Sequence, residues 1–388
     1  MKSLPLYFDY AATTPVDERV IKVMVECLGR SGNFGNPASS SHLYGQQARQ
    51  AVEQARQQIA DLVGAKATQI VWTSGATESN NLALKGVAQA RVQRGGHIIT
   101  SQLEHKAILD TAQQLQAAGY EVTYLAPDAE GVIAPAAVSA ALREDTFLVS
   151  LMLVNNELGT LNDIAAIGQR VREHGALFHV DAAQGAGKVS IDLVALAVDL
   201  MSFSAHKVYG PKGIGALYVG PRADQRLQAQ IHGGGHEGGL RSGTLATHQI
   251  VGMGAAFALA AEVFEHETAQ IERLQLRLRQ QLAEIPGLRV NGSQTQRVAH
   301  TLSLTFGKGD LNLDALSSDL AFSSTSACNS AKNAPSHVLL ALGHNEQSAR
   351  QTIRLSLGRF TTEDDVDHAV RLIKASLTQP AFWAVAQS

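Results

Sequence analysis

Hydrophobic and polar positions along the chain follow two alternating patterns. Short apolar runs predict β-strands at residues 69–75, 97–102, 121–126, 146–154, 177–183, 200–206 and 215–220. Between several of these runs, apolar residues recur every three or four positions, which predicts amphipathic helices at 42–65, 78–94, 109–119 and 164–175. This alternation of strands and helices predicts an α/β fold built on a parallel sheet with right-handed connections.

The pattern changes near residue 263. A long charged helix is predicted over 262–285, and a segment at 291–306 and a final region of helix, strand and helix follow it. The 388 residues also exceed the length of about 250 to 300 at which a single hydrophobic core stops growing. We therefore predict a domain boundary near residue 263. Because no Pro/Ser-rich linker separates the two parts, we expect them to share an interface.

Composition and charge narrow the classes of function. Apolar residues make up 45% of the chain and the net charge is -3, which gives no electrostatic basis for binding nucleic acid or an anionic membrane. Small-molecule partners are favoured instead. The longest uncharged stretch, 242–261, carries Ser, Thr, His and Gln in its first half, so it predicts a buried helix and not a membrane span.

The two cysteines, Cys27 and Cys328, are far apart and form no CxxC pair, which indicates neither a disulfide framework nor a zinc site. No apolar run of signal-peptide length precedes Asp9, so we expect a cytoplasmic protein. His232 and His236 lie four positions apart, but the glycines between them disfavour the helix that would bring them onto one metal. No metal site is predicted.

Functional residues are expected just after the strands, because ligands of open α/β sheets bind beyond the carboxyl ends of the strands. After strand 69–75, Gly75 allows a tight turn, and the backbone amides of Ala76 and Thr77 open a helix whose positive end suits a phosphate. A plain helix N-cap is the alternative. The stretch has neither GxxxxGK nor GxGxxG, so a nucleotide-binding loop is not indicated.

Three titratable residues follow other predicted strands. Asp181 suits a metal, a helix cap or the protonated pyridine nitrogen of pyridoxal phosphate. Lys207 follows an apolar strand, where partial burial would lower the pKa of its amine and prepare it for a Schiff base; a solvated lysine is the alternative. His105 suits stacking on a cofactor ring and proton transfer, or is an ordinary hydrogen-bonded residue.

An ordered set of motifs then gives a resemblance to a known family. The motifs are DYAATTP (9–15), GNPASSSH (35–42), SGATESNNLALKG (74–86), EHKAILD (104–110), VNNELG (154–159), HVDAAQ (179–184), SFSAHKVYGPKG (202–213), HGGGHEGGLRSGT (232–244), SSTSACNSA (323–331) and IRLSLGRFTT (353–362). Over about residues 5–370 the chain resembles the class V, fold-type I pyridoxal-phosphate enzymes, and more narrowly the cysteine desulfurases of the IscS/NifS kind, the IscS branch above all. This resemblance implies a mostly parallel seven-stranded sheet in a large cofactor-binding domain over 15–262, and a smaller α+β domain from 1–14 plus 263–388.

The resemblance also implies a role for each matching residue. Lys207, in the S-x-H-K motif, would be the covalent attachment point of pyridoxal 5'-phosphate. Arg354 would clamp the substrate carboxylate, with Asn36 beside it. Asp181 would pair with the pyridine nitrogen, and His105 would stack on the ring as acid and base. The remaining implied cofactor contacts are Ala76, Thr77, Ser204 and His206 at the phosphate, Asn156 and Gln184 at the ring oxygen, and Thr244, reaching over from the second subunit of a homodimer.

Cys328 matches the family's nucleophile. Because Ser323, Ser324 and the small polar residues that follow them cannot pack a core, we expect the segment to be exposed and mobile. The implied reaction converts L-cysteine to L-alanine and leaves the sulfur on Cys328 as a persulfide. Acceptor proteins, such as the scaffold for iron–sulfur cluster assembly, would then receive this sulfur, and tRNA thiolation is a further destination. The persulfide would make only transient contact with a nascent iron–sulfur cluster. Cys27, in an apolar run, is predicted to be an ordinary buried residue.

Other functions share parts of this set. A selenocysteine lyase or cysteine sulfinate desulfinase would use the same cofactor and Lys207, a class V aminotransferase would not need Cys328, and a non-catalytic sulfur-relay protein would need no cofactor. Three departures from the family leave the sulfur acceptor open. Gly238 stands where an arginine is usual, and residues 220–226 keep only Arg222 and Arg226 where the IscS branch usually carries several arginines. The chain also ends at 379–388, short of the longer tail of the IscS branch.

Overall fold

A computed structural model describes residues 4–91, 95–307, 311–324 and 335–377. The strands in these ranges are β1 (Leu6–Tyr7), β2 (Ile70–Thr73), β3 (His97–Ser101), β4 (Glu121–Leu125), β5 (Thr146–Met152), β6 (Leu177–Asp181), β7 (Leu200–Ser204), β8 (Gly215–Val219), β9 (Leu288–Asn291), β10 (Thr301–Phe306), β11 (Leu320–Ala321), β12 (Ser323–Ser324) and β13 (Thr352–Ser356). The helices are α1 (Glu18–Val25), α2 (Leu43–Val63), α3 (Ala76–Gln89), α4 (Lys106–Ala117), α5 (Pro135–Ala141), α6 (Ile164–His174), α7 (Thr247–Leu282), α8 (Leu313–Ser317), α9 (His337–Ala341), α10 (Glu346–Arg350) and α11 (Glu363–Ala375).

The large sheet has seven strands in the order β2-β8-β7-β6-β5-β3-β4, and the pairs from β7 to β4 are all parallel. Its central strands β5, β6 and β7 are buried along their whole length, as expected where helices cover both faces of a sheet. The predicted fold class is confirmed. Strand β8 runs antiparallel to both neighbours, because the connection from β7 is too short to contain a crossover helix.

Local signals placed the ends of several helices. Helix α2 ends at Gly64, which takes a left-handed conformation (φ 65°, ψ 42°) that glycine adopts without a steric cost. Helix α4 begins three residues before the predicted position 109. The reason is that His105 caps this helix, with its Nδ1 accepting a hydrogen bond from the backbone N–H of Ala107.

A second sheet carries its own hydrophobic core. Its four strands pair in the antiparallel order β12-β13-β10-β9, and the short strands β1 and β11 form a separate parallel pair beside it. Residues of the second sheet pack with α11 and the C-terminal half of α7, in a buried cluster that includes Leu278, Leu304, Ile353 and Val370. The strand β13 brings the C-terminal part of the chain to the edge of the large sheet, where Arg354 lies.

Helix α7 links the two cores. Its N-terminal half contributes Ile250 and Phe257 to the core of the large sheet, and its C-terminal half contributes Ile271 and Leu278 to the second core. The predicted boundary at residue 263 falls inside this continuous helix, and the division into 15–262 and 1–14 plus 263–388 stays a prediction. None of the helices in the described ranges is long and apolar enough to cross a membrane.

One expectation about the cysteine segment is wrong where the structure describes it. Ser323 and Ser324 are buried, 7% and 8% exposed, and they form β12 by pairing with β13. Small hydroxyl side chains can be buried in this way because the ladder satisfies their backbone groups and polar neighbours satisfy the hydroxyls. Cys328 lies outside the described residues. Cys27 is buried, 7% exposed, as predicted.

Candidate active site

A cavity of about 640 Å³ lies at the carboxyl ends of the parallel strands. Loops that leave β2, β3, β5, β6 and β7 meet there, because parallel strands end at the same edge of the sheet. The second sheet supplies the remaining wall through β12 and β13. The sequence-predicted residues that line this cavity are Ala76, Thr77, His105, Asn156, Asp181, Gln184, Ser204, His206, Lys207 and Arg354.

The N-terminus of α3 forms one end of the cavity. The first N–H group of this helix with an intrahelical acceptor belongs to Ser79, which donates to the carbonyl of Gly75 over 3.1 Å. The N–H groups of Ala76 and Thr77 precede it, at the positive end of the helix dipole. A Cβ on Gly215 would lie 2.5 Å from the Cα of Gly75, so the turn packs directly on β8 and only glycine fits. This end suits an anion such as a phosphate group.

Ser204 and His206 approach the same end from β7. The Nδ1 of His206 lies 3.1 Å from the hydroxyl of Thr13. Burial, together with the charges of the nearby lysines Lys207 and Lys212, lowers the pKa of His206 to about 4. The imidazole is therefore neutral at neutral pH, and the positive charge at this end comes from the lysines and the helix dipole.

Asp181 ends β6 in the middle of the cavity and is 6% exposed. Its Oδ2 accepts a hydrogen bond of 2.7 Å from Nδ2 of Asn80, and its Oδ1 accepts one of 2.9 Å from the backbone N–H of Ala183. The Oδ1 of Asn80 is buried without a hydrogen-bond partner among the described residues. A carboxylate held this way, with its orientation fixed by a buried amide, suits a protonated ring nitrogen.

Lys207 follows β7 in a single turn of helix. Its Nζ donates to the backbone carbonyls of Ala11 and Ala12 over 2.5 and 2.9 Å, so the N-terminal segment of the chain positions the amine. Gln184 uses the same carbonyl, because its Nε2 donates to Ala11 over 2.8 Å. Two backbone carbonyls of the sequence motif DYAATTP thus hold the amine of Lys207 and the amide of Gln184.

His105 lies on the wall of the same cavity, at the residue that caps α4. Burial lowers the pKa of its imidazole; the carboxylate of Asp181 opposes this shift, and the charge of Lys207 adds to it. The net direction is downward, so the ring is neutral at neutral pH. Because Nδ1 accepts the hydrogen bond from Ala107, the proton of the neutral ring is assigned to Nε2.

Arg354 on β13 is 8% exposed, and its guanidinium already has protein partners. One terminal nitrogen donates to the carbonyl of Asn156 over 2.8 Å, and the other donates to Asp9 Oδ1 over 2.8 Å and to Ser323 Oγ over 2.6 Å. Its Nε is buried with no partner among the described residues. The guanidinium is thus held rigidly at the cavity, next to the first residues of the segment that leads to Cys328.

Three predicted residues are not brought to this cavity within the described chain. Asn36 is exposed, and its Oδ1 accepts a hydrogen bond of 3.0 Å from the backbone N–H of Ala38. Thr244 is exposed and does not line the cavity of its own chain. Cys328 belongs to the residues that are not described.

Several contacts at the site had no role assigned from the sequence. Asn80 holds Asp181, and Asp9 holds Arg354, although both residues lie in motifs that the resemblance had marked. Glu157 accepts a hydrogen bond of 2.5 Å from the hydroxyl of Ser336, and both residues line the cavity. A second lysine, Lys188, contacts Gln184. Lys188 lies four residues after Gln184 in the sequence, but this spacing alone does not predict a side-chain contact outside a helix.

Comparison with known proteins agrees with this geometry. The family model described as aminotransferase class-V matches residues 6–369. The cysteine desulfurase IscS of Pseudomonas putida (strain GB-1) is 60% identical over 372 residues, which cover 95% of this chain and 92% of that protein. A solved NifS-like protein superposes with a TM-score of 0.88 at 36% identity, covering 96% of this chain and 99% of the other. A structure described as SspA in complex with cysteine has a TM-score of 0.81 at 42% identity, covering 92% and 99%.

The fold and the cavity at the strand ends are those of the fold-type I enzymes. The chain belongs to the aminotransferase class-V family, and within it to the cysteine desulfurases of the IscS/NifS kind. The resemblance stated from the motifs is confirmed.

Proposed function

We propose that this protein is a cysteine desulfurase that converts L-cysteine to L-alanine and transfers the sulfur to Cys328 as a persulfide. The observation that carries the proposal is the convergence of three groups in one cavity: the amine of Lys207, the buried carboxylate of Asp181 and the N-terminus of α3. These are an attachment point, a partner for a ring nitrogen and a partner for a phosphate. The 60% identity to a protein described as cysteine desulfurase IscS supports cysteine as the substrate.

The residues present fit pyridoxal 5'-phosphate. Ala76, Thr77, Ser204 and His206 would hold its phosphate, and Asp181 its pyridine nitrogen, with Asn156 and Gln184 at the ring oxygen. Asn80 makes this assignment specific, because its amide orients the Asp181 carboxylate in a buried position where an isolated negative charge would be costly. When bound to Lys207, this cofactor supplies an electron sink that stabilises negative charge on the α-carbon of the substrate.

The chain's own residues bind the substrate and move its protons. Arg354 is placed for the substrate carboxylate, because its guanidinium lies at the cavity and is held in position by Asp9 and Ser323. His105 would accept a proton to become an imidazolium and then give a proton to the reacting substrate. Since its pKa is lowered, the imidazolium gives up this proton readily and the ring returns to the neutral form at neutral pH.

Cys328 would take the sulfur. Its thiolate attacks the sulfur of L-cysteine, an S–S bond forms and the Cβ–S bond of the substrate breaks. The electron pair of the broken bond stays on the substrate carbon, which gains a proton and leaves as L-alanine. The persulfide then passes to an acceptor, and we propose iron–sulfur cluster assembly as the destination, with tRNA thiolation as a second one.

The test uses the purified full chain loaded with pyridoxal phosphate. We expect L-cysteine to change its visible absorption and to yield alanine and, with a reductant present, sulfide. Cys328→Ala should bind the cofactor and cysteine but release no sulfide, and sulfide at the wild-type rate from this variant would overturn the mechanism. Cys27→Ala is the matched control, since Cys27 is buried away from the cavity, and it should retain activity.

A second variant tests the attachment point. Lys207→Ala should lose the visible absorption that depends on a covalent link to the cofactor, and Lys374→Ala, at an exposed position on α11, should keep it. Retention of that absorption in Lys207→Ala would show that another residue holds the cofactor. Formation of pyridoxamine phosphate from an amino donor, without any need for Cys328, would instead support a class V aminotransferase. Faster alanine release from selenocysteine or cysteine sulfinate than from cysteine would support a lyase or desulfinase.

We also propose that the protein is a cytoplasmic homodimer. Large apolar side chains near α1 and α2 are exposed in the single chain, among them Val25 (59%), Leu28 (59%) and Leu43 (64%). A second copy covering this region would remove them from water. Thr244, which is exposed and does not line the cavity of its own chain, would then reach the partner's phosphate site. Sedimentation of the loaded enzyme at the mass of two chains is expected, and a monomer with full activity would contradict the dimer.

A further inference from the structure

Behind the ring-binding part of the cavity, a chain of hydrogen bonds joins two lysines. Lys188 Nζ donates to Oε1 of Gln184 over 2.7 Å. Nε2 of Gln184 donates over 2.8 Å to the carbonyl of Ala11, which also accepts from Lys207 Nζ over 2.5 Å. Gln184 thus sits between the attachment lysine and a second lysine for which the reaction has no other use.

Lys188 is placed where a lysine is costly. It lines a small enclosed space of about 10 Å³, together with Lys207, Tyr10, His300 and Glu267. Burial lowers the pKa of Lys188 to about 7, the charges of Lys207 and Arg354 act in the same direction, and Glu267 opposes them. An apolar side chain of similar length would fill this position without that cost, so the contact of the amine with Gln184 needs a reason.

The chemistry of the contact supplies that reason. An amide side chain can be turned by 180°, which exchanges its oxygen and nitrogen with little change in shape. A lysine ammonium only donates, and a backbone carbonyl only accepts. With Lys188 on one side and the carbonyl of Ala11 on the other, only one orientation of Gln184 satisfies both. That orientation commits one N–H of Nε2 to Ala11 and leaves the second N–H on a side chain that lines the cavity.

We infer that Lys188 is a positioning residue that fixes the side-chain amide of Gln184 with its N–H group toward the cofactor ring. This inference rests on the proposed function, in which Gln184 contacts the oxygen side of pyridoxal phosphate. Lys188 touches neither substrate nor cofactor in this assignment and acts through Gln184 alone. Replacing Lys188 should therefore have no effect on cofactor binding once Gln184 has been replaced. If Lys188 only stabilised the fold, its replacement would have the same effect with or without Gln184.

The experiment is a double-mutant cycle on pyridoxal phosphate binding to the apoprotein. Lys188→Met keeps length and volume and removes the donor, and Gln184→Leu removes the amide. We expect Lys188→Met to raise the dissociation constant about three- to tenfold, the worth of one hydrogen bond, and to shift the absorption maximum of the bound cofactor. In the Gln184→Leu background the same change should alter the constant less than about twofold. Lys374→Met, at an exposed position on α11, is the control and should leave both quantities unchanged.

Equal losses in both backgrounds, or no loss in either, would overturn the inference. The melting temperature of each apoprotein reports folding. Should Lys188→Met not fold, Lys188→Gln, which keeps an N–H donor in a shorter side chain, replaces it in the same cycle with a smaller expected loss. A wild-type protein that takes up no pyridoxal phosphate would overturn the proposed function itself. Normal uptake by the wild type, with no difference in the Lys188 variant, would overturn only the role of Lys188.

Discussion

Glu104, next to His105 in sequence, offers a prediction whose size follows from the structure. Its carboxyl group is 0% exposed. Oε1 accepts hydrogen bonds from the hydroxyl of Ser101 (2.7 Å) and the backbone N–H of Met152 (3.1 Å), whereas Oε2 is buried with no partner among the described residues. Burial raises the pKa of Glu104 to about 8, against the opposing effect of these two hydrogen bonds. The side chain is therefore mostly protonated in the native state at neutral pH.

The sign of the pH dependence follows from the protons bound in each state. In the unfolded chain Glu104 ionises near its ordinary value of 4.5, so between about pH 4.5 and pH 8 the native state holds one proton more. The stabilising contribution of this raised pKa is complete below about pH 4.5 and is lost as the pH rises through about 8. The free energy of unfolding falls by about 1.4 kcal/mol for each pH unit in this window, which gives roughly 2–3 kcal/mol between about pH 6 and pH 8.

Glu104→Gln removes this dependence while keeping the shape of the protonated acid. The side-chain oxygen of the glutamine can accept the hydrogen bonds from Ser101 and Met152. Its amide NH2 group takes the place of the unpartnered Oε2. We expect the melting temperature of the apo variant to rise relative to wild type as the pH increases from about 6 to about 8. For a chain of this length the relative gain is on the order of 2–4 °C, because about 1 kcal/mol shifts the midpoint by about 1 °C.

The assay is differential scanning fluorimetry or calorimetry of both apoproteins across the pH range. Glu144→Gln, at an exposed position, is the control and should give a difference from wild type that does not change with pH. A constant difference between Glu104→Gln and wild type would show that Glu104 is ionised in the native state. The reasoning would then be refuted, together with the picture of a neutral acid behind His105.

Two further predictions concern the cavity. Arg354→Lys should raise the KM for L-cysteine about tenfold with a smaller change in kcat, because an ammonium cannot form the paired contacts of a guanidinium. Arg30→Lys, at an exposed position, is the control. An unchanged KM in Arg354→Lys would show that Arg354 does not bind the substrate. Gly215→Ala should lower stability by about 1–3 kcal/mol and weaken pyridoxal phosphate binding, since the new methyl group would collide with Gly75. Gly29→Ala, where a Cβ meets nothing within 4 Å, is the control for the melting and binding measurements; equal behaviour of the two variants would contradict the tight packing behind the phosphate site.

Local patterns in the sequence were enough for most of the large sheet. The apolar runs that became β5, β6 and β7 are fully buried strands, and each is flanked by turn or capping residues that limit its length. The direction of β8 was not readable, because an apolar run of five residues looks the same in a parallel and an antiparallel pair. The burial of Ser323 and Ser324 was missed for a related reason. Their composition describes a loop, and only pairing with β13 makes them a strand.

The sequence by itself determined the family of this protein and its candidate residues. Strand-end positions predicted Lys207, Asp181 and His105 as chemical groups of the site, and the ordered motifs identified the family to which the chain belongs, since residue type and order along the chain carry that information. The tertiary structure alone decided which groups orient the chemistry. Asn80 reaches Asp181 across 101 positions, Asp9 reaches Arg354 across 345, and Lys188 and the carbonyl of Ala11 fix Gln184 from opposite sides. Such contacts depend on where distant segments meet when the hydrophobic cores form, and no spacing along the chain records them.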